Sequence, residues 1–155
     1  MTAGPNRSES LARQQILQYL TDTLQRLPFD IALSWQHPCY EHAIFGDALT
    51  VPAFDTVELG TPLLLNAEYW VVGVPAEQVS DYFQLILRIW EAFGWHVSVD
   101  QQAMPQRRAR TRTPDDYNLT VVDNGKGDLA ITASSPPFAR EAVGGDPLPS
   151  TITHP

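Results

Sequence analysis

The sequence predicts an α+β domain. We expect a two-layer sandwich with one mainly antiparallel sheet of about four to six strands and two amphipathic helices packed on one of its faces. Three observations lead there. Two stretches carry apolar residues at helical spacing, several shorter ones alternate apolar and polar residues, and glycine, proline or Asn-Gly separates them. The order is helix, strand, strand, helix, strand, strand, strand.

The first helix starts after Ser8 or Ser10, either of which caps it. Ile16, Leu17, Leu20, Leu24 and Leu27 then recur at helical spacing. Pro28 ends it, because the residue before a proline avoids the α region. Ile31, Leu33 and Trp35 alternate as the inner face of a first strand. Residues 36–61 form a long excursion, with a short strand near Ala48–Val51. Leu63, Leu65, Ala67, Tyr69 and Val71 are uniformly apolar and share the inner face of a long strand. Leu64, Asn66, Glu68, Trp70 and Val72 share its mixed outer face.

Pro75 opens the second helix, whose stripe is Val79, Phe83, Ile86, Trp90 and Phe93, and Gly94 closes it. Trp95, Val97 and Val99 follow as a short strand. Residues 100–115 are polar and read as a loop. Tyr117, Leu119 and Val121 alternate, as do Leu129, Ile131 and Ala133. Between them Asn124-Gly125 predicts a tight hairpin, since that pair tolerates the positive φ such turns need. This places an arm at residues 1–8, one domain at 9–138, and a Pro/Gly-rich tail at 139–155.

Composition narrows the function. The chain has 155 residues, 43% of them apolar, and a formal net charge of -8. An acidic chain is not drawn to nucleic acid or anionic lipid, so no nucleic-acid partner is expected, and another protein is. No apolar run reaches the roughly 18 residues a membrane-spanning helix needs. Met1 is followed by polar residues and no signal core, which predicts the cytoplasm as written. Cys39 is the only cysteine, so no intrachain disulfide forms.

Four groups of residues carry candidate chemistry. His37, Cys39 and His42 have metal-ligand types, but their spacing is no zinc signature, and a loop with solvated histidines accounts for them. Cys39 has no oxyanion-hole motif near it, so no catalytic residue is assigned and no cofactor is expected. Arg107, Arg108, Arg110 and Arg112 form the one basic run. It is either an anion- or partner-binding patch or a solvated loop between strands, paired with Asp115 and Asp116. Trp35, Tyr40, His42 and Trp70 are candidates to line a ligand pocket between the sheet and residues 36–61. Trp70 itself is either an exposed interface residue or covered by that segment folding back.

The layout resembles the small actinobacterial cell-envelope lipoproteins of mycobacteria and their relatives. The matching pieces are a first strand leading to a lone cysteine (Trp35-Gln36-His37-Pro38-Cys39), a helix running into EAFGWHV, and the terminal hairpin YNLTVVDNGKGDLAITASSPPF. The resemblance covers roughly residues 10–138 in layout. It implies a second cysteine after Ser-Ser-Pro, bonded to the first. Pro137 stands there, so that bond is lost, and the signal segment and lipidated cysteine are missing too. The resemblance implies a binding or structural role without catalytic residues. It also leaves the cell envelope as the alternative compartment, with Met1 replacing a processed start. The expectation is thus a non-catalytic binding module, either lipoprotein-like or an inhibitor or immunity-type protein. A small-molecule binder or enzyme using the pocket beside residues 36–61 is the alternative.

Overall fold

The computed structural model describes residues 7–53, 60–100 and 106–155; most of the arm read at residues 1–8, and residues 54–59 and 101–105, lie outside that description. Helix α1 spans Glu9–Gln25, capped by Ser8, whose hydroxyl accepts the Leu11 N–H at 3.1 Å. Its apolar stripe is buried at Ile16, Leu20 and Leu24. Three strands follow: β1 (Ala32–Ser34), β2 (Leu49–Pro52) and β3 (Leu63–Val72). Then come α2 (Val79–Ala92), β4 (Val97–Asp100), β5 (Arg107–Arg112), β6 (Asn118–Asp123), β7 (Leu129–Ser134) and β8 (Thr151–Ile152).

The strands form one open antiparallel sheet in the order β4-β5-β6-β7-β3-β1-β8. β3 is its axis: one side takes β7, and the other is shared between β2 at Leu63–Asn66 and β1 at Trp70–Val72. Leu63, Leu65, Ala67, Tyr69 and Val71 all point into the core, as the alternation predicts. The helices cover that face together, since one buried cluster takes in α1, α2 and the inner residues of β3, β6 and β7. The Trp90 indole donates to the Thr23 hydroxyl at 3.1 Å and ties α2 to α1. Gly73 has φ +95, and a Cβ there would sit 2.6 Å from the Asp30 carbonyl oxygen, so only glycine lets β3 end beside the α1–β1 turn.

The structure corrects the sequence reading in three places. Among the described residues the sheet has eight strands, not four to six. β5 is Arg-Arg-Ala-Arg-Thr-Arg: its inward residues Ala109 and Thr111 are small, so the alternation carries little apolar signal and residues 107–112 are a strand where the pattern predicts a loop. The second correction is the C-terminal segment, which is packed and is no tail. Leu148 and Ile152 are 5% and 6% exposed, and β8 pairs with β1 through Leu33↔Ile152 and Ser34↔Thr151. The Tyr69 hydroxyl donates to the Pro149 carbonyl at 2.7 Å. Asp47 accepts the Leu148 N–H at 3.0 Å and also pairs with Arg13. Burial alone would raise the Asp47 carboxyl, but the Leu148 amide, Arg13 and the Ala48 amide hold it below its ordinary value. The third concerns the β6–β7 hairpin. It closes at Asp123↔Leu129, so residues 124–128 form a longer loop and not a two-residue turn. Gly125 and Gly127 take the positive φ, while the Asn124 side chain accepts the Lys126 and Asp128 amides.

Burial also sets an alkaline limit. It pushes the Tyr69 and Tyr117 phenols up to about 12. In the unfolded chain a phenol ionises near pH 10. A raised folded pKa contributes stability that is complete below the unfolded value and lost as pH climbs through the folded one. Melting temperature should therefore hold to about pH 9 and fall from roughly pH 10 to 12. Tyr69→Phe should fall less steeply over that interval; parallel curves for variant and wild type would remove Tyr69 from the account.

Candidate functional site

With both helices on one face, the 36–45 loop covers the Trp70 end of the other, and among the described residues that face is exposed at β5; its residues follow from register. One row runs across five strands: Ser98, Arg110, Thr120, Thr132 and Glu68. A second holds Asp100, Arg108, Val122, Ala130 and Trp70, and a third Arg112, Asn118, Ser134 and Asn66. Alternation along β5 puts Arg108, Arg110 and Arg112 on this open face and sends Arg107 to the other side.

The four arginines therefore divide. Arg107 sits 4.4 Å over the Phe83 ring, donates to Asp123 at 2.8 Å and reaches Ser80 at 3.0 Å. It is part of the packing and leaves the expected anion patch. Arg112 pairs with Asp116 at 3.2 Å, as the neighbouring acids suggested. Arg108 and Arg110 are exposed, and neither guanidinium hydrogen-bonds or ion-pairs with another described residue. Both line a trough of about 450 Å³ whose other walls are Asn118, Thr120, Val122 and Thr132. A second trough of about 220 Å³, lined by His96, Ser98, Arg110, Thr111, Arg112 and Asn118, shares Arg110 and Asn118 with it.

No protein-family model, curated protein or solved structure matches this chain. Guanidinium, hydroxyl and amide groups line the trough, and a guanidinium stays protonated at any ordinary pH, so it serves as a fixed donor and not as a general base.

The residues proposed for a pocket beside residues 36–61 do not converge. Trp35 turns to the helix side, its ring 6.4 Å from that of Tyr69. Trp70 points to the open side, Tyr40 is 63% exposed, and His42 is exposed. The two tryptophans thus stand on opposite sides of the sheet. Of the two readings of Trp70, the structure takes the covered one. Phe45 stacks on it at 4.8 Å, His37 meets it edge-on at 4.8 Å, and its indole donates to the Ala43 carbonyl at 2.9 Å. The space left beside it, lined by His37, Pro38, Trp70 and the Gly127–Leu129 end of the hairpin, is about 40 Å³, room for about one water.

His37, Cys39 and His42 do not form a ligand set. His37 is buried and both ring nitrogens are in use: Nδ1 accepts the Cys39 and Tyr40 amides, and Nε2 lies 2.6 Å from Asp128. Two amide donors on Nδ1 leave the proton to Nε2, so the ring donates to Asp128 and latches the 36–45 loop to the β6–β7 hairpin. No group of three His, Cys, Asp or Glu among the described residues is arranged to hold a metal. Cys39 is exposed. No helix among them is long and apolar enough to cross a membrane.

Sequence reasoning missed Ser98, Asn118, Thr120, Thr132 and Glu68. Each is an unremarkable polar residue in its own strand, and only register brings them beside the arginines.

Proposed function

We propose that this chain is a non-catalytic binding module that takes a protein partner on the open face of its sheet. One observation supports this reading above the others: two guanidiniums without a partner among the described residues line a polar trough in a chain of net charge -8. Arg7, Arg13, Arg107 and Arg112 each pair with a carboxylate of the same molecule. Arg108 and Arg110 stand two positions apart on one face, where like charges repel. A bound anionic group relieves that repulsion and receives charge-assisted hydrogen bonds. An inhibitor or immunity-type protein and a lipoprotein-like adaptor are both forms of this role.

The test is photo-crosslinking in the native host. A benzophenone side chain replaces Thr120, in the trough, or Gln18, on the exposed side of α1. Adducts should form from position 120 and not from 18, and should vanish when Arg108 and Arg110 are both alanine. Equal labelling from the two positions, or a position-120 adduct indifferent to the arginines, sinks the reading.

A further inference from the structure

We infer that the occupant of the trough is an extended acidic segment of the protein partner, lying along β5 with carboxylates at alternate positions. This deepens the proposed binding role and rests on it.

Spacing comes first. Arg108, Arg110 and Arg112 recur every second residue of one strand, so their Cα atoms are about 6.8 Å apart. Alternate side chains of an extended peptide repeat at the same roughly 6.8 Å, so successive outward carboxylates meet Arg108 and Arg110 without strain on either side, while Arg112 keeps Asp116. Shape agrees. The two troughs share Arg110 and Asn118 as lining residues, and between them their linings take in all three outward arginines, from Arg108 to Arg112. Its floor supplies the Asn118 amide and the Thr120 and Thr132 hydroxyls, which can bond peptide N–H and C=O groups.

The remaining charges on this face set the limits. Asp100 lies opposite Arg108 on β4, and Asp116 holds Arg112. Glu68 ends the row that begins at Ser98, three strands from Arg110, or about 14 Å. Its carboxylate repels an acidic segment that drifts toward β3, so the segment stays over β5 and β6. The net charge of -8 opposes an acidic partner at long range, but beyond about 8 Å physiological salt screens it, and the arginines act at contact. Nucleic acid fits less well. Single strands bind on series of exposed aromatic rings, no Phe, Tyr or Trp lines the troughs and His96 is their one ring, and Trp70 on the same face lies under Phe45.

The experiment uses the full chain, isotope-labelled and followed by NMR. The probes are a capped peptide of four Glu-Thr repeats, its Gln-Thr counterpart, a Lys-Thr counterpart, inorganic phosphate and an oligothymidine of similar length. The Glu-Thr peptide should bind saturably and shift amides of residues 107–112, 118–122 and 130–134. The Gln-Thr peptide should not bind. Arg108→Ala with Arg110→Ala should weaken the Glu-Thr peptide by at least about tenfold. Arg108→Glu with Arg110→Glu should reverse the preference to the Lys-Thr peptide, a reversal that damage to the fold does not produce. Absence of saturation by about 5 mM, or phosphate or oligothymidine binding as tightly as the Glu-Thr peptide, overturns the inference. If the position-120 crosslink still forms and depends on the arginines, the binding face stands and only the acidic segment falls. If that crosslink also fails, both fall.

Discussion

A chain cut after Asp146 should lose about 5 kcal/mol of stability. The removed residues look dispensable, being rich in proline and polar groups, but they bury Leu148 and Ile152. Each large apolar side chain contributes roughly 1.5–3 kcal/mol when buried. The Pro149 carbonyl also accepts the Tyr69 hydroxyl, and losing it leaves a core phenol without its acceptor, worth about 1 kcal/mol more. β8 pairs with the outer side of β1, a strand of three residues whose other side pairs with β3. Native domains have only about 5–15 kcal/mol in all, so the truncated chain should be marginal or unfolded at 25 °C. Thermal melting by circular dichroism checks this, with a fall of roughly 10–20 °C expected for a chain of this size. A truncated chain melting within about 2 °C of the full one would show that Leu148 and Ile152 contribute little.

Trp90→Ala should cost about 4 kcal/mol. Trp90 is fully buried where the two helices meet; it is the largest buried side chain of α2 and makes the hydrogen bond to Thr23. A cavity there is enclosed by α1, α2 and the sheet, so the surroundings cannot collapse into it cheaply. The two contributions separate by substitution. Trp90→Phe keeps most of the area and loses the N–H, and should cost about 1–2 kcal/mol. Thr23→Val strands the buried indole N–H, and should cost about 1–3 kcal/mol. Urea unfolding of the three variants measures all of this. A Trp90→Ala loss below that of Trp90→Phe would mean that packing is not what Trp90 provides.

Much of the fold was legible in the residues because periodicity is local. The stripe of α1 through Ile16, Leu20 and Leu24, that of α2 through Val79, Phe83, Ile86 and Trp90, and the inner side of β3 all lie where their spacing put them. These segments also bury large apolar side chains, and that is the signal a pattern carries. The first strand, the hairpin strands and Gly94 with its positive φ were legible for the same reason.

What was not legible depends on partners distant in sequence. β5 buries only Ala109 and Thr111, and its strand character comes from pairing with β4 and β6. The C-terminal segment is ordered by groups brought from far along the chain, namely Asp47, Tyr69 and Leu33. Trp35 and Trp70 looked like neighbours in one pocket, but β1 and β3 pair with Ser34 beside Trp70, and the pleat sends the next residue, Trp35, to the opposite side. The candidate site shows the same division. The run from Arg107 to Arg112 named the charge, which is a property of residues alone. Which three arginines share a face, that Arg107 is already paired with Asp123, and that Thr120, Thr132 and Glu68 extend the row were decided by the tertiary structure. Strand register is set by the whole core, and no local window of sequence contains it.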